Sequence, residues 1–337
     1  MNGGVDVLPT ADRLLRYPNL AYSRVQQVLG LDVRFESNSR YVIDLVEETF
    51  VGWGAQTTDG ACSVPALRVT LVVHDGTEPS ETGTSVRHIS TGDGRLLIHS
   101  AGSVAVVDPA RGEVLAYITT ALAVEREQFR DAVLEAGTLA LVASFDRHPL
   151  HAAAIERDGH AVLLAGASGA GKSTLAYLAN QSGLNVLGDD HVWVQLEPRL
   201  RIWGGGPARV RLLPETVALF PALARTDAAT PLDAKAKSVF LLDASPRTAE
   251  RACDSATIGV IARGDTASLE RIDPLELRKV LASQLAPGFD RFADRHATVV
   301  HALTAPGGWR LTLSADPFDA LPLLERMLDD TGRHHQH

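Results

Sequence analysis

The chain has 337 residues, 45% of them apolar, and a formal net charge of −9. Its length allows two domains, or one large α/β domain with an added module, and the apolar content describes a folded chain with a core of ordinary size, not a disordered one. The negative balance argues against a nucleic-acid binder, which needs a basic face to displace phosphate counterions, so any bound anion must be held by a few placed groups.

The opening stretch MNGGVDVLPTADRLLRYPNL has no basic flank followed by a continuous apolar core, and no window approaches ~20 uninterrupted apolar residues. The expectation is a soluble, cytoplasmic protein with no membrane partner. LDVRFES alternates as a strand, SRYVIDLVEETFVG carries apolar residues at helical spacing, and ALRVTLVVHD reads as a second strand. Past the polar segment DGTEPSETGTS, the stretches GRLLIHSAG and SVAVVDPARGEVLAYI read as antiparallel strands with short loops. Residues 1–120 are thus expected to form a mixed α+β domain for recognition, assembly or support, in which His74, His88 and His99 are scattered without catalytic spacing. Cys62 and Cys253 are far apart and lack CxxC or Cys/His ligand spacing, so neither a disulfide framework nor a zinc site is indicated.

From about Ala121 the pattern changes. In AVEREQFRDAVLEAG, Phe129, Ala132, Val133 and Ala136 fall at helical spacing and Gly137 can cap the end. This helix is expected to open a second domain, residues 121–330, with the histidine-rich tail at 331–337 solvated and disordered. After the apolar run TLALVASF, HAAAIERDGHAVLLAG gives two apolar strands around Asp158 and Gly159, a hairpin signal. If those two residues make the turn, Arg157 pairs with His160 and His151 falls opposite Gly166, which sets one histidine beside the next motif.

GASGAGKS matches G-x-x-x-x-G-K-[ST] in full, between the apolar strand AVLLAG and the helix-compatible STLAYLANQSG. Glycines let such a loop wrap a phosphate with its N–H groups, and the helix N-terminus adds partial positive charge. The candidate nucleotide contacts are Gly166, Ser168, Gly169, Ala170, Gly171, Lys172, Ser173 and Thr174. Lys172 should reach the β- and γ-phosphates, and Ser173 should join a Mg²⁺ site. Gly183 suits a left-handed helix cap, LNVLG a short buried strand, and Asp189 and Asp190 lie where that strand ends. Adjacent strand side chains point to opposite faces, so only one of the pair aims at a metal unless the chain turns there, and a surface turn is the alternative. SVFLLDAS, ending at Asp243, is a weaker second candidate for an acidic strand end.

His151, GASGAGKST and the helix leading to LNVLGDD, in this order and spacing, resemble the HPr kinase/phosphorylase family and related serine kinases, including those encoded with lasso-peptide pathways. The resemblance runs from about Leu139 to Val194, with looser likeness to about Asp330. It implies an α/β fold with a P-loop core like the C-terminal domain of HPr kinases, itself PEP-carboxykinase-like, beside the N-terminal mixed α+β domain. It also implies an ATP- and Mg²⁺-dependent kinase that phosphorylates a hydroxyl, foremost a serine of a peptide or small protein. In that family Asp189 matches the general base, Asp190 the neighbour that supports the metal and phosphates, and His151 the histidine close to the base. Phosphoryl transfer asks mainly for alignment and charge neutralisation, which agrees.

Where bifunctional members carry a signature rich in Arg, Gly and acidic residues, this chain reads RIWGGGPARVRLLPE, so the reverse reaction with inorganic phosphate is not implied. Arg209 and Arg211 there, and Lys235 and Lys237 in TPLDAKAKS, are candidate phosphate or substrate contacts. A plain turn and strand, and solvent-exposed lysines, are the alternatives. DPLELRKVLASQLA and DPFDALPLLERMLDD read as helices, the first capped by Asp273, and IGVIARG and GWRLTLSA as strands. A metabolite kinase on the same fold and a non-catalytic ATP-sensing module are the alternative functions, and a homo-oligomer is open.

Overall fold

The computed structural model describes residues 5–7, 17–54, 67–75, 86–100, 102–205, 209–220, 223, 237–242, 252–285 and 290–330. Contacts divide the chain into two units, Met1–Phe145 and Asp146–His337. Both are mixtures of helices and strands, and the largest sheet of each combines parallel and antiparallel pairs. Lys235, Pro207, Asp243, Cys62 and the tail lie outside the described residues.

In the first unit the strands are β1 (Tyr22–Val28), β2 (Leu31–Ser37), β3 (Leu67–His74), β4 (Arg87–Ser90), β5 (Leu96–Ser100), β6 (Ser103–Asp108) and β7 (Glu113–Thr119). Among the described residues they form a sheet ordered β1-β2-β3-β7-β6-β5-β4. Helix α1 (Arg40–Phe50) follows β2, and β2 runs parallel to β3, a crossover that lets the helix cover the sheet with Val42, Leu45, Val46 and Phe50. Strand β1 has no counterpart in the sequence reading. Its turn is Leu29 and Gly30, both at positive φ, and Leu29 is fully buried with its N–H donated to the Trp53 carbonyl at 2.9 Å. Leucine is a poor turn residue, and burial offsets the backbone strain.

The helices α2 (Thr120–Val124), α3 (Arg126–Phe129) and α4 (Ala136–Ala143), with a π-helical turn at Arg130–Glu135, belong to this first unit and not to the second as the sequence suggested. The reason is packing. Helix α4 is apolar on nearly all sides and lies on β6 and β7, so close that a Cβ on Gly137 would stand 3.4 Å from Val114. The boundary therefore falls at 145/146 instead of 120/121.

The second unit contains β8 (His148–Leu150), β9 (Ala153–Arg157), β10 (His160–Ala165), α5 (Lys172–Gln181), β11 (Asn185–Gly188), β12 (Val192–Gln195) and β13 (Arg201–Gly204). After them come β14 (Arg209–Leu212), α6 (Pro214–Val217), β15 (Ser238–Leu241), β16 (Ala252–Cys253), β17 (Ser255–Arg263), β18 (Ser268–Ile272) and α7 (Pro274–Ala282). The last are α8 (Ala293–Thr304), β19 (Gly308–Leu313) and α9 (Leu321–Asp330). Among the described residues the main sheet is ordered β11-β9-β10-β17-β19-β18, with smaller sheets β16-β13-β12-β8 and β14-β15.

Strand β10 is buried along its whole length, as expected for a strand covered on both faces. Val162 and Leu164 pack with Leu175 and Leu178 of α5 and with α9, while Ala161, Leu163 and Ala165 pack with the β12–β13 layer, α7 and α8. Each fully buried Leu or Val contributes about 1.5–3 kcal/mol, so the strand that carries the phosphate motif is anchored from both sides. The hairpin to β9 turns at Asp158 (φ 53°) and Gly159 (φ 82°), and its register runs from His160↔Arg157 to Leu164↔Ala153, as the Asp-Gly pair predicts.

A buried histidine pair ties α8 to β8. His296 Nε2–H donates to the Leu281 carbonyl at 3.0 Å, which leaves His296 Nδ1 to accept from His148 Nε2–H at 2.9 Å. His148 Nδ1 has no partner among the described residues. Burial first, then the charges of His296 and Arg295, hold the His148 pKa down to about 3. A folded-state pKa below the unfolded value gives stability that is present above pH ~6.5 and lost as pH falls toward that of the folded group. Chemical unfolding at pH 7 and pH 5 should show His148→Gln losing less stability across that interval than wild type, by up to about 2 kcal/mol. Equal losses would contradict a neutral, buried His148.

Candidate active site

Strands β10 and β11 are both antiparallel to β9, so they run in the same direction and end at the same edge of the sheet. Ligand crevices of α/β sheets open at such carboxyl ends. Beyond β10 comes the glycine loop, and beyond β11 come Asp189 and Asp190. Because β9 runs the other way, the residues that precede it, His151 among them, lie at that edge too. The ladder itself stops at Ala153↔Leu164, so His151 sits past the paired residues and is held by its N–H on the Gln284 carbonyl at 2.9 Å.

The loop has the backbone its sequence requires. Gly166, Gly169 and Gly171 take φ of 155°, 82° and 115°, and Gly171 stands at the N-terminus of α5. Lys172 Nζ donates to the carbonyls of Gly166 at 2.7 Å and Ala167 at 3.3 Å. Burial lowers its pKa, against the opposing pull of Asp190 and Asp189.

The chain bends at Asp189 and Asp190, so the two carboxylates do not simply alternate across a strand. Asp189 is 5% exposed. Its Oδ2 accepts the Arg211 backbone N–H at 3.2 Å, and Oδ1 has no partner among the described residues. Burial is the main cause that pushes its pKa up to about 6. Asp190 reaches into the cavity and accepts from Arg211 Nη1 at 2.7 Å. Burial alone would raise its pKa, but the charges of His191, Arg211, His151 and Lys237 together hold it below the ordinary carboxylate value. Arg211 therefore clamps both aspartates, one with its backbone and one with its guanidinium.

A cavity of about 240 Å³ joins these parts. Ser168, Gly169, Gly171, Lys172, Ser173 and Thr174 of the loop line it, with His151, Asp190, Arg211 and Lys237. Gly166 and Ala170 frame the loop without lining the cavity, and Arg209 is exposed outside it. Sequence placed His151 beside Asp189, but its nearest carboxylate contact is Asp190, Nδ1 to Oδ1 3.4 Å. Burial, then Lys172, lower the His151 pKa, so near neutral pH the ring is uncharged and this contact is a dipole against a carboxylate. Lys235 and Asp243 lie outside the described residues, while the strand leading to Asp243, β15, pairs with β14 away from the main sheet.

Sequence reasoning missed Arg263, which lines the cavity and ends β17. A second cavity of about 270 Å³ adjoins the first and shares Gly171, Thr174, Glu215, Thr216 and Arg263 with it. Leu175, Leu219, Leu313 and Pro317 give this second cavity an apolar wall.

The donors suit a Mg²⁺ ion. They are a serine hydroxyl and two carboxylates, and Asp189 Oδ1 is a buried oxygen with no partner among the described residues. Among those residues no three His, Cys, Asp or Glu side chains form a metal cage. Mg²⁺ needs none, because it is held by one or two carboxylates, phosphates and water.

No family model matches this chain, and no curated protein matches it. Among solved structures, that of the Hpr(Ser) kinase/phosphatase from Coxiella burnetii is similar over 56% of this chain and 97% of that one, at 12% identity and a TM-score of 0.26. A likeness of that size leaves the functional reading to the residues of the site. Among the described residues no helix is long and apolar enough to cross a membrane.

Gly188 makes the bend at the aspartates, and a Cβ there would stand 2.5 Å from the His191 carbonyl oxygen. Backbone cannot yield to that contact cheaply, so Gly188→Ala should lower stability by about 1–3 kcal/mol in chemical unfolding. An unchanged midpoint would contradict the closeness of this turn.

Proposed function

We propose that the second unit is an ATP-dependent kinase that transfers the γ-phosphoryl group to a hydroxyl. The observation that carries this is convergence: one cavity is lined by Lys172, Ser173 and neighbouring residues of the phosphate loop, by Asp190 on the Arg211 guanidinium, and by His151, while the Arg211 N–H holds the buried Asp189. Phosphoryl transfer needs alignment of donor and acceptor and cations on the equatorial oxygens. Lys172, Arg211 and Lys237 supply the cations. When bound, Mg²⁺ would supply further neutralisation of the phosphates, with Ser173 and Asp190 as its protein ligands.

Asp189 is the proposed base. Its raised proton affinity and free Oδ1 suit a group that takes a hydroxyl proton, while Asp190, held ionised among cations, suits charge support. Exposure favours the opposite division, since Asp190 lines the cavity and Asp189 is 5% exposed. The acceptor class, a serine of a peptide or small protein, comes from the motif resemblance alone. A metabolite hydroxyl is the alternative substrate, and an ATP sensor without transfer is the alternative function. Cytoplasmic location belongs to the same reading.

The test is a comparison of Asp189→Asn and Asp190→Asn by ATP affinity and phosphoryl transfer. Asp189→Asn should keep its ATP affinity within about threefold and lose transfer by roughly 10²-fold or more. If Asp190→Asn alone abolishes transfer, the roles are reversed. If neither changes it, the pair is not catalytic. Lys172→Ala should weaken ATP binding by at least about tenfold, as removal of a charge-assisted contact does. Unchanged binding would remove the phosphate loop from the account.

A further inference from the structure

Arg263 is the last residue of β17, the neighbour of β10 on the side away from β9 and β11. Because β17 is parallel to β10, it ends at the same edge of the sheet. The glycine loop is thus flanked by the aspartate pair on one side and by an arginine on the other. The guanidinium lies against the loop: a Cβ on Gly171 would be 3.1 Å from Nη2 and 3.6 Å from Cζ.

The other cations of the cavity are occupied or lie on the acidic side. Lys172 bonds the loop carbonyls, Arg211 bonds Asp190, and Lys237 acts on both aspartates and does not reach the second cavity. Among the described residues the Arg263 guanidinium makes no hydrogen bond or ion pair, not even with Glu215, which lines the same two cavities. Among the described residues it is also the one cation that lines both.

We propose that Arg263 grips the nucleotide at the phosphates nearer the nucleoside, where the phosphate cavity opens into the apolar-walled second cavity. This rests on the kinase reading and adds to it a residue for nucleotide affinity. A guanidinium presents a planar fork that matches phosphate oxygens. Its position away from the aspartates puts it on phosphates that ATP and ADP share. Such a contact strengthens substrate and product binding alike and leaves the transfer step to the other side of the loop.

The experiment is calorimetric binding of ADP and of a non-hydrolysable ATP analogue, with Mg²⁺, to the full chain carrying wild-type, Arg263→Gln or Arg263→Lys sequence. Arg263→Gln should weaken both ligands by the same factor, about tenfold or more. Arg263→Lys should recover part of the loss, and ADP affinity should fall less steeply with salt in the glutamine variant than in wild type. Unchanged affinities, no recovery with lysine, or weakening of the ATP analogue alone would overturn the assignment. Wild type that binds neither nucleotide would instead overturn the kinase reading itself, a result separate from an Arg263 variant that binds as wild type does.

Discussion

The site depends on one constraint of chain direction. Strand β9 runs antiparallel to both of its neighbours, so β10 and β11 must point the same way. The tight turn at Asp158 and Gly159 fixes that arrangement locally, and the register it sets keeps the alternate side chains of β10 on their proper faces. From this follow the placement of the glycine loop, the aspartates and His151 at one edge. The parallel pairing of β10 with β17 then brings Arg263 to the far side of the loop. A slip of one residue would turn Val162 and Leu164 away from α5 and dissolve the anchor of the loop.

Within the site, electrostatics divide two adjacent carboxylates into two kinds. Asp189 is closed off, and desolvation raises its proton affinity despite the bond from the Arg211 N–H. Asp190 stands among His191, Arg211, His151 and Lys237, and in the acid range where this carboxyl titrates and the imidazoles are protonated their charges overcome its own burial. Two like charges side by side would repel, and Arg211 makes the pairing tolerable by bonding each of them with a different part of itself. Arg211 thereby links β14 to the end of β11.

Much of this edge was legible because its signals are local. The glycine loop, the Asp-Gly hairpin, the left-handed Gly183 after α5 and the Asp273 cap of α7, which accepts the Leu275 N–H at 2.8 Å, each span a few residues and follow from backbone chemistry. What escaped depends on partners remote in sequence. Arg263 ends an unremarkable strand and gains its role only because β17 lies beside β10. Strand β1 was hidden by a Leu-Gly turn that burial alone makes acceptable, and the 136–143 helix read as a mere apolar run because its neighbours cover it on nearly all sides. Arg209 and Arg211 looked alike in sequence, yet only Arg211 meets the aspartates.

The central claim is that this cavity moves a phosphoryl group to a hydroxyl. Incubation of the full chain with γ-labelled ATP, Mg²⁺ and pooled serine peptides and metabolites tests it most directly. The account predicts label in a phosphoester on an acceptor hydroxyl. Bound ATP that stays intact across the pool, or label released only as inorganic phosphate, would contradict it.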